Sequence, residues 1–148
     1  MRLSSPAFDD GAPIPEEYGY EAENVNPPLT VADVPADAVS LALVVDDPDA
    51  REPAGKVWDH WVVWNVDPAI GEIPRDWDAA DAIEGQNDYG ERGYGGPNPP
   101  DCEHTYRFRC YALADDLDLA AGANKADLEA AMEDSLLAEA EYAGTDTP

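Results

Sequence analysis

Apolar residues in this chain fall in short runs separated by proline, glycine and aspartate, the punctuation of a strand-rich protein. The clearest runs are residues 40–45, 57–66 and 105–113, each rich in β-branched and aromatic side chains and each followed by turn-forming residues. They predict strands, and with them a mainly β architecture, in the range from all-β to α+β. One stretch reads differently. Over residues 125–143, Leu128, Met132 and Leu136 recur every four residues, with Asn124 placed to cap the first turn and Gly144 placed to end the last, which predicts one helix. Glu129, Glu133, Glu139 and Glu141 fill its other positions, so it reads as a packed surface helix without chemistry.

Strand periodicity makes a definite statement about both histidines, because alternate side chains share a face. In the third run Tyr106, Phe108, Cys110 and Ala112 form an apolar row, Arg107 and Arg109 point the other way, and His104 continues the apolar parity. In the second run the row is Trp58, His60, Val62, Trp64 and Val66, which sets His60 between two tryptophans. A histidine so placed is either a core residue with a hydrogen-bond partner or the wall of a pocket. Both stand near the starts of aromatic strands and close in sequence to loops of turn residues, Asp46-Asp47-Pro48-Asp49 and Gly93-Tyr94-Gly95-Gly96-Pro97-Asn98-Pro99-Pro100. Those loops are expected to converge at one sheet edge.

Length and charge narrow the function classes. With 148 residues the chain is expected to form one domain around one core. No charged start leads into an apolar run, and no apolar stretch is long enough to span a bilayer, so the expectation is an unexported, cytoplasmic protein without membrane insertion. There are 33 acidic and 8 basic side chains, a formal charge of -25, which opposes any nucleic acid partner. No acidic run exceeds two residues, so the charge is spread over ordered surface, a pattern that reads as adaptation to high salt. Cys102 and Cys110 give no metal spacing; both are expected reduced, with one bridge between them left open.

The glycine loop lacks the Gly-Lys-Ser/Thr of a nucleotide loop. Its glycines allow backbone N–H groups to turn toward a bound anion, and its prolines would equally serve a rigid turn. For enzymatic chemistry, His60 or His104 could act as a base oriented by Asp47 or Asp49, but the serines Ser4, Ser5, Ser40 and Ser135 sit in no nucleophile elbow. A metal held by His60, His104 and a carboxylate is an alternative that the spacing does not support, and no cofactor is expected.

Taken in order, several motifs resemble the phosphatidylethanolamine-binding protein family, in its prokaryotic Raf kinase inhibitor-like branch. They are Asn24-Val25-Asn26-Pro27-Pro28-Leu29, the run Ser40-Leu41-Ala42-Leu43-Val44-Val45 leading into Asp46-Asp47-Pro48-Asp49-Ala50, His60-Trp61-Val62-Val63-Trp64-Asn65, Asn87-Asp88-Tyr89-Gly90 and Gly93-Tyr94-Gly95-Gly96-Pro97. With the acidic composition, the resemblance points to a halophilic archaeal member. It implies an antiparallel β-sheet assembly with a second, smaller sheet and a C-terminal helix. It also implies an anion pocket lined by Asp47, Trp58, His60, Gly96, Pro97, His104 and Tyr106, with Asp49 nearby. In that pocket His60 and the Gly96 backbone would face a phosphate or carboxylate group, Tyr106 would donate to it, and Asp47 would orient a histidine or a ligand amine.

Three positions depart from the family pattern. Thr105 replaces the usual arginine, which takes away a fixed partner for Asp47 or Asp49. Asn98 stands where relatives often carry cysteine, and the loop from Pro99 to His104 is short. The function expected is a small-anion binding protein, regulatory in the manner of kinase or peptidase inhibitors; the alternative is a small hydrolase using His60 or His104 with Asp47. The partners expected are a small anionic ligand, a protein partner of unknown kind and, from the resemblance, a second copy of the chain in a homodimer.

Overall fold

The computed structural model describes residues 1–148 and builds them into two antiparallel sheets. The larger sheet has β3 (Ser40–Asp47) at its centre, flanked by β4 (Trp58–Val66) and β7 (His104–Leu113). The short β6 (Ile83–Glu84) and the long β8 (Leu136–Asp146) complete it in the order β6-β4-β3-β7-β8. A three-stranded sheet of β1 (Arg2–Ser4), β2 (Leu29–Ala32) and β5 (Glu72–Ile73) covers one face in the order β1-β2-β5. A helical turn, α1 (Arg51–Ala54), follows β3, and the helix α2 (Lys125–Met132) precedes β8.

Both faces of the central β3 are buried, which explains why it reads as a continuous apolar run instead of an alternation. Leu41, Leu43, Val45, Phe108 and Cys110 pack against Leu3, Leu29, Val31 and Ile73 of the small sheet, so the two sheets share one core. On the opposite face Ala42, Val44, Val62, Trp64, Tyr111 and Leu113 are covered by Leu128 and Met132 of α2. Asn124 caps that helix reciprocally with Asp127, as the sequence predicts.

The helix expected over residues 125–143 is a correction. It stops at Met132, and the chain turns through Glu133–Ser135 into β8, which pairs with the whole length of β7. Beyond Leu136 the period is two: Glu139 and Glu141 lie exposed, while Ala138, Ala140 and Tyr142 pack against the core. Gly144 is an interior strand residue and ends no helix; a Cβ there would come within 2.5 Å of Ile14 Cγ1 and 2.7 Å of Phe8 Cε2. The expected C-terminal helix is thus a C-terminal strand, whereas the second, smaller sheet is present.

A second correction concerns β4. Trp58, His60, Val62, Trp64 and Val66 do not form one row, because the ladder with β3 is interrupted twice. Val45 pairs with Trp61 and Asp46 with Asp59, which leaves His60 as the additional residue of a β-bulge. A second irregularity lies between the Leu43–Val63 and Leu41–Val66 pairs, where Asn65 adopts φ 54°. Val62 and Trp64 therefore face the helix, whereas Trp61, Val63 and Val66 face the small sheet.

A candidate ligand pocket at the end of the large sheet

Antiparallel pairing brings the C-terminal end of β3 beside the N-terminal ends of β4 and β7, so Asp47, Trp58 and His104 are neighbours despite their distance in sequence. Period two then sends adjacent aspartates to opposite faces. Asp46, fully buried, accepts from Arg107 Nε at 2.8 Å, Arg109 Nη2 at 2.7 Å and Lys125 Nζ at 3.1 Å. Asp47 faces the other way and meets His104, its Oδ2 lying 2.6 Å from the ring Nδ1.

Around this point lies a recess of ≈ 170 Å³. Asp47, Trp58, His60, His104 and Tyr106 form its inner wall, Ala50, Pro53 and Ala54 one rim, and Tyr89, Asn98, Pro99 and Pro100 the other. His60 packs edge-on to Tyr106 with ring centroids 5.2 Å apart, and edge-on to Tyr89 at 5.8 Å. Pockets that enclose whole drug-sized ligands hold about 300–1,000 Å³, so this recess suits one head group. A wider recess of ≈ 320 Å³ lies across the Asn98–Pro99 segment, lined in part by Glu16, Glu21 and Asp146.

The two histidines have opposite electrostatics. Burial drives the His60 pKa down, more than the Gly95 carbonyl and the distant aspartates raise it, so the ring is neutral near pH 7. Its Nδ1 lies 2.7 Å from the Gly95 carbonyl and must carry the proton, which leaves Nε2 as an acceptor. For His104, burial also pulls the pKa down, but hydrogen bonds to Asp47 and Asp101 outweigh it and raise the value. Its Nε2 lies 2.7 Å from Asp101 Oδ1, so both ring nitrogens face carboxylates and the imidazolium is the favoured form.

Two buried donors on the same wall have no hydrogen-bond partner: Trp58 Nε1 and the Tyr106 hydroxyl. Burial, reinforced by Asp47, pushes the Tyr106 pKa far above its usual value, with slight opposition from the Asn98 backbone, so Tyr106 is a neutral donor. An unpaired buried polar group costs about 1–3 kcal/mol, which a ligand oxygen would recover.

Of the residues expected in the pocket, Asp47, Trp58, His60, His104 and Tyr106 come together, whereas Asp49, Gly96 and Pro97 are not on the lining. Asp49 Oδ2 accepts the Thr105 backbone N–H at 2.8 Å, and the Asp49 N–H donates to Asp47 Oδ1 at 2.9 Å. That pair of bonds holds the aspartates where the expected arginine is replaced by Thr105. The Gly96 N–H is spent on Asn24 Oδ1 at 2.8 Å, and a Cβ at Gly96 would collide with the Tyr18 carbonyl. Its glycine thus permits close backbone packing, and the expected Gly96 contact with an anion is corrected accordingly. Tyr89, which the sequence does not single out although it lies in Asn87-Asp88-Tyr89-Gly90, also lines the wall; its hydroxyl donates to the Gly96 carbonyl at 2.9 Å. Both cysteines are free, Cys110 in the core and Cys102 exposed.

Two antiparallel sheets around a shared core, with a small recess at the strand ends, define a mainly β-protein. The family model described as phosphatidylethanolamine-binding protein matches residues 4–147. This chain belongs to that family. It is 44% identical to a UPF0098 protein of Methanothermobacter thermautotrophicus, over 97% of each chain. A Mycobacterium tuberculosis relative whose name describes a lipoprotein is 39% identical over 98% of this chain and 71% of its own. Among solved structures, a phosphatidylethanolamine-binding protein homologue from Chlamydia trachomatis superposes with a TM-score of 0.93 at 39% identity, over 98% of this chain and 95% of the other. YbcL of E. coli superposes with a TM-score of 0.88 at 28% identity, over 97% and 96%. No helix of this chain is long and apolar enough to cross a membrane.

Proposed function

We propose that this chain is a small-ligand binding protein whose recess takes the head of a phosphate ester or a carboxylate, acting in the cytoplasm and without turnover. The observation that carries the reading is the pair of partnerless buried donors, Trp58 Nε1 and Tyr106 Oη, on the wall that also holds the His104 imidazolium. Once Asp101 swings away, His104 Nε2–H becomes a third donor and Asp47 remains as its counterion. His60 Nε2 adds one acceptor, which favours a head group carrying a proton of its own, such as a phosphate monoanion or an ammonium beside a phosphate. The family description names a lipid with such a head group, phosphatidylethanolamine.

Binding is favoured over hydrolysis because the lining offers no serine, threonine or cysteine as a nucleophile. Titration with phosphoethanolamine and with inorganic phosphate by calorimetry tests the reading. Tyr106→Phe keeps its ring and Trp58→Phe keeps an aromatic one, and each removes one donor, so each should weaken binding by about five- to tenfold while the protein stays folded. Wild-type affinity in both variants would overturn the proposal.

A further inference from the structure

We propose that Asp101, Cys102 and His104 together form a site for a borderline-soft divalent cation of the zinc type. Their ligand atoms, a carboxylate oxygen, a sulfur and an imidazole nitrogen, all lie within 4.8 Å of one another. That donor set suits zinc or cobalt and not magnesium or calcium, which take oxygens. A second observation is independent of the cluster. His104 presents Nε2 to it while Nδ1 is fixed on Asp47 Oδ2 at 2.6 Å, and a carboxylate on the far nitrogen is how metal-binding histidines are oriented.

The two halves of the site differ in burial. His104 is buried and starts β7, so its position is set by the fold. Asp101 and Cys102 are exposed in the loop before it and can close on an ion. The carboxylates of Asp101, Asp49 and Glu52 set a negative potential at Cys102 that draws in a dication, and a bound dication supplies the charge that makes a thiolate stable.

The proton balance is explicit. On binding, Cys102 gives up its thiol proton and His104 the proton on Nε2, and Asp101 exchanges its hydrogen bond for a bond to the ion. Two protons leave for each cation bound, and one coordination position remains for water. Both readings draw on His104 Nε2, as a donor to a phosphate or as a ligand to a cation, so the two occupants exclude each other at that atom; Cys102 belongs to the cation site alone and Trp58 and Tyr106 to the phosphate reading alone, which keeps their tests separate.

Cobalt(II) is the probe, because only a thiolate ligand gives a sulfur-to-cobalt charge-transfer band, and the many surface carboxylates are silent there. Wild type should bind one equivalent with that band, and added zinc should abolish it. Cys102→Ser, at an exposed position, should fold normally and lose the band. Asp101→Asn should keep the band and weaken cobalt binding about tenfold or more. Cys110 cannot supply the signal, being in the core with its thiol pushed by burial up to about 12. Absence of the band in wild type, or its persistence in Cys102→Ser, would overturn the proposal.

Discussion

At the scale of single residues, Asp46 and Asp47 differ by one position and by everything that surrounds them. Asp46 is fully buried, and burial alone would raise its pKa; Arg107, Arg109 and Lys125 reverse the sign and hold it below the usual carboxylate range. A carboxylate with a lowered folded pKa adds stability that is complete above about pH 4, the unfolded value, and is lost as the pH falls through the folded one. Asp46→Asn leaves two guanidinium groups without their buried counterion, although Lys125 keeps Asp59 at 2.7 Å. We expect that variant to lose about 3–5 kcal/mol at pH 7 by urea unfolding. The gap between it and wild type should close below about pH 4; a gap independent of pH would show that the charge on Asp46 is not what holds the cluster.

At the scale of elements, the informative case is the misread stretch after Met132. Leu128, Met132 and Leu136 satisfy a helical interval, yet Leu136 is exposed and the alternation from Ala138 to Tyr142 decides the structure. A local period was outweighed by the open edge of β7, which gains a full ladder from β8. The central β3 was legible as an unbroken apolar run, and the row beginning at His104 because its alternation is uninterrupted. In β4 the same reasoning failed at His60 and Asn65, since a bulge adds a residue without leaving a mark in the pattern of apolar residues. Much of the pocket wall was still legible, because its residues sit at strand ends. The roles of Asp49 and Gly96 were not, because they depend on where loop N–H groups find acceptors. Gly144→Ala tests the reassigned strand: its Cβ would press on Ile14 and Phe8, and overpacking of this kind costs about 1–3 kcal/mol. A neutral outcome would mean that the contact between β8 and the N-terminal segment is looser than drawn.

At the scale of the whole molecule, a formal charge of -25 sets a general repulsion against one compact core. Few of the carboxylates have cationic partners, since there are only 8 lysines and arginines in all. Near 1 M salt the Debye length is about 3 Å, against about 30 Å at 0.01 M, so surface repulsion should be nearly absent in the first case and long-ranged in the second. The melting temperature should therefore climb steadily as potassium chloride is raised from the millimolar to the molar range, measured by circular dichroism. A flat or falling curve would show that the acidic surface is not a salt adaptation.

The bulge at His60 has a consequence for how such a site can arise. Removing that one residue would leave Asp59 and Trp61 adjacent, opposite Asp46 and Val45, and the β3–β4 ladder would run unbroken from Asp47 to Leu43, with only the irregularity at Asn65 left. The imidazole is in effect spliced into a strand that closes without it. A surplus residue of this kind belongs to the pocket more than to the scaffold, since the pairs on either side keep their partners without it.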